Sequence, residues 1–463
     1  MQDPSLDSAI SLVIAGRMRR ADGSWGPGEV WVSGSKIVAV HDSPPETRVE
    51  GGRRIDAGDD FVLPGAVDAH VHSLSHPGEG VLAATSAAAA GGVTTIVEMP
   101  FDGNGPVNNR DRLLAKQDLV AREAVVDVAL MGTLAPGNGW RKADELAENG
   151  VVGFKVSLFL TDEIRFPRIN DFELLNVMLA VSTTGRTLCT HAENNEIIKS
   201  LLADKANQAS TDPHTHSRTR PPISETLGVL TALEVAAQQQ TALHLCHLSL
   251  PRSIDLVNWY RSQGVNVTLE TCPHYLTFTE QDLDTQRGHL KINPPVRSTS
   301  DRASVWQRLE SGFVDVVSSD HAPWPVELKD HDRILENHSG VPGVETLVAA
   351  TLGAAIRRDP SLATFGTVID SLTINPATRF GVDHLKGSLE VGKDADIMIF
   401  SAGSDTIVDS AALHSNAGWT PYDGMALGGA VTTTVLRGEV AWTRTAGFGG
   451  RTDRGQLLVR SGG

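Results

Sequence analysis

Eight short apolar runs alternate with longer segments across the middle of this chain, and the alternation limits the fold more than any other feature of the sequence. The runs are FVLPGAVDAHVH, TTIVEMP, VDVALMG, VVGFKVSLF, TLCTHAE, ALHLCHLS, NVTLETCPHY and VDVVSSDHAP. The intervening segments, such as RDRLLAKQDLVARE and LGVLTALEVAAQQQ, repeat apolar residues with helical spacing. Parallel strands need a crossover connection, commonly a helix, so this pattern favours βα units. Eight strands and eight crossovers predict an α/β fold built on a (β/α)₈ barrel of the TIM type.

The two ends of the chain differ from this middle and resemble each other. The first sixty residues contain SLVIAG, EVWVSG and KIVAV, and the last eighty contain ADIMIF, TIVD, AVTTTVLRG and EVAWT. Short apolar runs separated by turn residues are typical of antiparallel strands. A chain of 463 residues also exceeds one core of ordinary size. We therefore expect a small β-sandwich domain formed from residues 1–62 and 385–463, the latter ending in a tail, beside a barrel of residues 63–384.

Composition excludes several classes of function. The 40 basic and 56 acidic residues give a formal net charge of −16, which repels phosphate backbones and anionic membranes, so we expect no nucleic-acid and no membrane partner. The N-terminal MQDPSLDSAI lacks the regions of a signal peptide, and no run reaches the roughly 20 apolar residues of a spanning helix. A cytoplasmic location follows by default. The cysteines Cys189, Cys246 and Cys272 are predicted to be buried free thiols.

Histidines close three of the eight runs, at the strand ends where a barrel of this type carries its active site. His70 and His72 are two apart on a predicted strand, so both side chains face the barrel axis and suit one metal ion. His191 and His247 end the fifth and sixth runs, and neutral imidazole is a common ligand of divalent metals. Each histidine could instead be a hydrogen-bonded core residue. Four of them converging on one rim favour a metal site.

Asp320 closes the eighth run, where a buried carboxylate needs a cation or hydrogen-bond donors. A metal ion supplies that cation, and the carboxylate could also carry a proton from water to a leaving nitrogen. A helix cap or a salt bridge to an arginine would explain Asp320 equally well.

Lys155 lies inside the fourth run with apolar residues on both sides. Burial lowers the pKa of a lysine and makes the neutral amine accessible. A neutral amine can add carbon dioxide to form a carbamate, whose two oxygens can bridge two metal ions. The alternatives are a lysine paired with a neighbouring acid, or one whose ammonium extends to the rim.

The motifs DAHVH, GFK, HAEN, CHLS and SSDHAP, in this order and on these strands, resemble those of the cyclic amidohydrolases. This family includes allantoinases, dihydropyrimidinases (hydantoinases) and dihydroorotases. The resemblance extends over nearly the whole chain, through LPGAVDAHVH, AAGGVTTIVEMP, ETCPHYL, KGSLEVGKDADIMIF and LRGEV. It implies a metal-dependent hydrolase that opens a small ring amide by attack of a metal-bridging hydroxide, and a homotetrameric assembly.

The resemblance also implies a ligand set for two divalent metal ions, zinc by preference and otherwise cobalt or manganese. One ion would be held by His70, His72 and Asp320 and the other by His191 and His247, with Lys155, carboxylated by CO₂ on its amine, between them. Asp320 would in addition pass the proton to the departing ring nitrogen.

Departures from each subfamily narrow the substrate. Dihydroorotases usually carry an arginine and an asparagine where this chain has Leu74 and Phe101, and hydantoinases usually carry a tyrosine shortly after the bridging lysine, which is missing from VSLFLTDEIRF. The motifs ETCPHYL, PPVR and WTPYDG resemble those of allantoinases, although His76 and Glu79 replace the glutamate and arginine of their EPGR motif. We therefore predict an allantoinase-like enzyme converting allantoin to allantoate. The alternatives are a hydantoinase or dihydropyrimidinase acting on a less polar ring amide, and a non-catalytic scaffold relative.

Two further residues are expected to contact the substrate. The family resemblance places the loop with Asn293 and the SGVPGVE loop, which contains Pro342, beside the ring. A purely structural turn would explain either residue as well.

Overall fold

The computed structural model describes residues 10–45, 52–404, 406–449 and 454–460. Its strands are β1 (Leu12–Arg19), β2 (Trp25–Ser33), β3 (Lys36–His41), β4 (Arg53–Pro64), β5 (Ala66–Val71), β6 (Val93–Glu98), β7 (Asp127–Gly132), β8 (Gly153–Ser157), β9 (Thr187–His191), β10 (Leu243–Leu245), β11 (Val267–Thr271), β12 (Val316–Val317), β13 (Ile397–Ser401), β14 (Ala430–Leu436), β15 (Glu439–Thr443), β16 (Gly447–Phe448) and β17 (Leu457–Leu458). Its α-helices are α1 (Gly80–Ala90), α2 (Arg110–Glu123), α3 (Ala143–Glu148), α4 (Asp171–Thr184), α5 (Asn195–Ala203), α6 (Lys205–Ala209), α7 (Thr215–Thr219), α8 (Pro222–Gln239), α9 (Pro251–Ser262), α10 (Pro273–Thr277), α11 (Leu283–Gln286), α12 (Thr299–Glu310), α13 (Leu347–Arg358), α14 (Phe365–Leu372) and α15 (Ile374–Phe380).

Strands β5 to β12 pair in parallel, each with its neighbour in the chain, with helices in the connections. The sheet closes where Val71, at the end of β5, forms a parallel bridge with His321, just beyond β12. The amide of His72 donates to the carbonyl of His321 at 2.9 Å, and the amide of His321 donates to the carbonyl of His70 at 3.3 Å. These bonds confirm the predicted barrel. They also bring the first and last barrel strands together at their carboxyl ends.

The terminal segments form one mixed sheet in the order β16-β15-β14-β13-β4-β1-β2-β3. Its two halves meet where β4, which precedes the barrel, pairs antiparallel with β13, which follows it. The predicted β domain drawn from both ends is therefore confirmed. Two details differ: β1 and β4 run parallel, and the predicted strand TIVD makes only one isolated bridge, between Ile407 and Ala426.

The amino-terminal end of the barrel is filled with apolar side chains. Phe380 of α15 and Leu458 of β17 belong to the same buried cluster as the inward-facing Ala129 and Cys189. Strand β17 reaches this position by pairing in parallel with the first part of β7. Because this end is packed, the carboxyl ends of the strands are the end at which a site can form.

A buried ionic cluster joins the barrel to the β domain. Lys386 Nζ lies 2.5 Å from an oxygen of Asp127, at the start of β7, and 2.9 and 2.7 Å from oxygens of Asp394 and Asp396, just before β13. Arg437, between β14 and β15, also bonds Asp127. Burial lowers the pKa of Lys386, but the three aspartates outweigh burial and raise it. The ammonium is therefore the shared countercharge of carboxylates from both domains.

Two other expectations concern the described part of the chain. In those residues no helix combines the length and the apolar character needed to cross a membrane. The three cysteines are buried free thiols, as predicted.

Candidate metal centre

Side chains from the first and last barrel strands converge at the carboxyl end of the barrel. His70 Nε2 lies 3.2 Å from His72 Nε2 and 3.2 Å from Asp320 Oδ1, and His72 Nε2 lies 3.5 Å from the same carboxylate oxygen. Two imidazole nitrogens and a carboxylate oxygen this close together form a ligand group suited to a divalent cation. The structure thus brings together three residues that the sequence places 250 positions apart at the extremes.

A second pair of imidazoles lies in the same cavity. His191 Nδ1 and His247 Nε2 are 3.1 Å apart, and the ring of His247 is 5.4 Å from that of His70. His247 Nδ1 is buried and has no hydrogen-bond partner among the described residues. Lys155 Nζ lies 3.5 Å from His70 Nε2 and lines the same cavity as the four histidines. All six predicted ligands therefore line one cavity.

Two of these residues have strained backbone. His247 has φ 42° and Asp320 has φ 47°, values in the left-handed region that non-glycine residues rarely adopt and that cost of order 1–3 kcal/mol each. Both residues lie just beyond a barrel strand. The surrounding packing holds a conformation that turns the chain at the rim, where both side chains line the cavity.

The protonation states at this rim suit cation binding. Burial lowers the pKa of His72 to about 3, against the opposing effect of Asp320. Burial raises the pKa of Asp320, but His70, His72 and His247 outweigh it and hold that pKa far below its usual range. At neutral pH the imidazole of His72 is therefore neutral and the carboxylate is ionised. These are the forms that bind metals.

Lys155 corrects one expectation. Burial does lower the pKa of its ammonium, but Cys246, Glu270 and Cys189 outweigh burial, so its pKa lies above the ordinary value. The protein environment alone does not favour the neutral amine.

Glu270 on β11 orients the histidines around it and was not among the residues predicted from the sequence. It accepts from His70 Nδ1 at 2.5 Å, from His244 Nε2 at 3.2 Å and from the amide of His247 at 3.2 Å. Burial raises the pKa of Glu270, but His70 and His244 hold it well below the usual range. Ligand histidines commonly donate their second nitrogen to such a carboxylate. The available signal was a single acidic residue inside the apolar run NVTLETCPHY.

Glu193 supports the other histidine pair in the same way. Its carboxylate lies 2.8 Å from His191 Nε2, which leaves His191 Nδ1 to face His247. Arg220 bonds the same carboxylate. Burial raises the pKa of Glu193, but Arg220 and His191 lower it far below the ordinary value. The side chain orients a ligand rather than binding substrate.

The turn after Asp320 is held by His321 and Glu79. His321 Nδ1 accepts from the amides of Gly343 and Val344 at 3.1 and 3.4 Å, so Nε2 carries the proton and donates to Glu79 at 3.3 Å. Glu79 also accepts from the amide of Asn416 at 2.8 Å. The acid that replaces an arginine of the allantoinase motif therefore supports the backbone beside Asp320.

Aromatic rings form much of the remaining cavity wall. Phe101 stacks on Phe166 with centroids 3.6 Å apart and lies 6.4 Å from the ring of His72. Phe166 and Trp324 line the cavity directly. Neither was singled out in the sequence, because both lie in loops where residue spacing indicates no facing direction.

The two predicted substrate contacts are placed differently. Asn293 lines the cavity, and its buried Oδ1 has no hydrogen-bond partner in the described part of the chain. Pro342 does not line this cavity. It lies beside a separate small pocket, and its carbonyl accepts from Thr420 Oγ1 at 3.2 Å. Ser339 and Gly340, slightly earlier in that loop, line the cavity in its place.

We expect Glu270→Gln to weaken divalent-metal binding about 10- to 100-fold. The two carboxylate oxygens of Glu270 accept from three N–H donors, whereas a glutamine side chain has one acceptor oxygen. Metal affinity measured by competition with a chromogenic chelator checks this. Glu225→Gln is the matched control, because Glu225 is equally buried but bonds Ser249 and Arg297 instead of histidines. Equal losses of affinity in the two variants would contradict the orienting role of Glu270.

Comparison with known proteins agrees with this geometry. Residues 61–441 match the model of the amidohydrolase family. An allantoinase of Enterococcus faecalis is 33% identical over 431 residues, covering 90% of this chain and 93% of its own, and an L-hydantoinase of Paenarthrobacter aurescens is 31% identical over 94% of this chain and 93% of its own. The solved structure of an L-hydantoinase (dihydropyrimidinase) from Arthrobacter aurescens superposes with a TM-score of 0.92 at 29% identity, covering 97% of this chain and all of that one. The family implies divalent-metal binding, which the His70, His72 and Asp320 group fits, and the chain belongs to the amidohydrolase family.

Proposed function

We propose that this protein is a metal-dependent hydrolase that opens the ring amide of a cyclic ureide, with allantoin as its substrate and allantoate as its product. The observation that carries the proposal is the convergence of four imidazoles, Asp320 and Lys155 in one cavity at the carboxyl end of the barrel. Allantoinases among the relatives, at 33% identity over most of the chain, support the choice of substrate.

The cations in this proposal are two zinc ions, with cobalt or manganese as substitutes. His70, His72 and Asp320 would hold one, His191 and His247 the other, and a carboxylated Lys155 would bind both. Such ions supply an activated nucleophile near neutral pH and polarise the scissile carbonyl.

Asp320 is the proton carrier in this proposal. Its carboxylate is ionised at neutral pH, so the oxygen that does not face His70 and His72 could accept a proton from water and then donate it to the ring nitrogen as the C–N bond breaks. His321 and Glu79 fix the turn that follows it. The side chain can therefore keep one position during both transfers.

A second candidate is a hydantoinase, and the aromatic wall favours it. Phe166, which stacks on Phe101, and Trp324 present apolar rings to the cavity, whereas the ureido substituent of allantoin is polar. Apolar walls favour a ring amide that carries an apolar or aromatic substituent.

A substrate screen decides between the two candidates. The purified protein with measured metal content is given allantoin, hydantoin, benzylhydantoin and dihydrouracil, and ring opening is followed by the carboxylate released. We expect turnover of allantoin that a chelator abolishes and added zinc restores. Turnover of the hydantoins with none of allantoin would replace the first candidate by the second. A metal-free protein that opens no ring when metal is added would indicate a scaffold.

We also propose a cytoplasmic homotetramer. Exposed apolar side chains, Phe172 and Leu179 on α4 and Ile223 on α8, provide surface that contact between subunits would cover. Light scattering of the purified protein tests the assembly, and a monomer at micromolar concentration would contradict it.

A further inference from the structure

One cation in the cavity has no partner that neutralises it. Arg165 lies in the loop after β8, half-buried, and lines the cavity with its neighbour Phe166. Its guanidinium lies over the ring of Trp324, with the guanidinium carbon 5.2 Å from the ring centroid. In the described ranges no carboxylate lies within hydrogen-bonding distance of it.

The acids that act on Arg165 are bonded to other groups. Asp162 Oδ1 accepts from the amides of Ile164 and Arg165 at 2.9 and 2.7 Å, and Asp102 Oδ1 accepts from Lys116 Nζ at 2.6 Å. Burial lowers the pKa of Arg165, and Asp162 and Asp102 only partly offset that. An arginine remains charged in proteins, so the cavity contains a guanidinium with free donors.

Arg165 lines the same cavity as the predicted metal ligands, but among the described residues its side chain makes no hydrogen bond or ion pair with them. Its stacking partner Trp324 donates its indole N–H to the carbonyl of Ser339, which also lines the cavity. The guanidinium is therefore placed to meet a substituent on the ring, not the amide that is cleaved.

We propose that Arg165 binds a carboxylate carried on the exocyclic substituent of the substrate, while Phe166 and Trp324 contact its apolar part. The assignment rests on the proposed ring-opening activity and goes beyond it, because it adds ring amides with an acidic side chain to allantoin, whose ureido substituent is neutral. A guanidinium binds a carboxylate with two parallel N–H···O bonds, and stacking on an indole holds the fork in one plane. Leu74 and Phe101 occupy the positions at which dihydroorotases usually carry an arginine and an asparagine, so this chain lacks those two partners for a substrate carboxylate. Arg165 supplies a cation from a different loop.

The turnover test compares carboxymethylhydantoin with its neutral isostere carbamoylmethylhydantoin. We expect wild-type kcat/KM to favour the acid by roughly 10- to 100-fold, the size of a charge-assisted hydrogen-bonded pair. Arg165→Gln should bring the ratio close to one, and Arg165→Lys should retain more of it than Arg165→Gln. Arg141→Gln is the matched control, because Arg141 also stacks on an indole, that of Trp140 at 5.0 Å, but lies outside the cavity. It should leave the ratio unchanged.

A binding test removes the dependence on turnover. Calorimetry measures phenylacetate against phenylacetamide, which offer the same ring with and without a carboxylate. Wild type should bind the acid roughly 10-fold more tightly or better, and Arg165→Gln should lose that preference. If the wild type opens neither these hydantoins nor allantoin, the proposed function fails, and this measurement still decides the role of Arg165.

Two results would overturn the proposal. A preference for the acid that persists in Arg165→Gln would place the carboxylate elsewhere, for instance on the metal ions. An equal loss of turnover for acid and amide would show that Arg165 serves the carboxylate formed by ring opening, which both substrates share.

Discussion

Lys155→Ala is expected to lose bound metal and to reduce kcat/KM for the preferred ring amide by roughly three orders of magnitude. Lys155 Nζ lies 3.5 Å from His70 Nε2 in a cavity with four imidazoles, and a metal site contributes several kcal/mol of transition-state stabilisation. Elemental analysis should show the loss of metal together with the loss of turnover. A small carboxylic acid such as propionate, which can occupy the vacated space, should restore part of both.

Lys155→Met is the companion variant, because it keeps the volume of the side chain and removes only the amine. We expect the same loss of metal without the cavity that alanine creates, and a folded protein by circular dichroism. Wild-type activity in Lys155→Ala without any additive would refute the bridging role. Mass spectrometry of the native protein, with a gain equal to one CO₂, tests the carbamate directly.

Lys386→Met is expected to lower the free energy of unfolding by about 3–5 kcal/mol, the usual effect of removing one partner from a buried ionic cluster. Asp127, Asp394 and Asp396 would then keep the half-buried Arg437, which bonds Asp127, as a neighbouring cation. Urea unfolding followed by fluorescence measures the change. Because these aspartates belong to both domains, we also expect the transition to become broader.

Lys142→Met is the control for this prediction. Lys142 forms an exposed ion pair with Glu145 on the barrel surface, and exposed pairs contribute little to stability. Its unfolding midpoint should stay close to that of the wild type. Equal shifts of the unfolding midpoint in the two variants would show that the contribution of Lys386 to stability does not depend on its burial.

The barrel, and the convergence of the six predicted ligands at one rim, could be predicted from the sequence because each rests on a repeated signal. Short apolar runs typical of strands alternate eight times with segments whose apolar residues have helical spacing, and that repetition predicts the fold. The six predicted ligands each lie within or just after such a run, so parallel strands bring them to one rim. Strands β10 and β12 are much shorter than their runs, at 3 and 2 residues, because the chain leaves the sheet before a strained residue, His247 or Asp320.

The parts of the site that were missed depend on tertiary contacts. Glu270 has the same sequence context whether it bonds a histidine or an arginine, and only the packing of β10 against β11 places it beside His244. Arg165, Phe166 and Trp324 lie in loops, where no periodicity indicates which side chains face the cavity. Burial lowers the pKa of Lys155, but Cys246, Glu270 and Cys189, which come from other parts of the barrel, raise it above the ordinary value.

The pairing of β17 with β7 has a consequence for the order in which the protein can be made. The amide of Gln456 donates to Asp127 across 329 positions of sequence, and Leu458 completes the packing at the base of the barrel. On the ribosome β7 therefore waits for this neighbour until the 329 residues that follow Asp127, up to Gln456, have been added. Contacts of such long sequence separation slow folding, so the base of the barrel is completed late in folding.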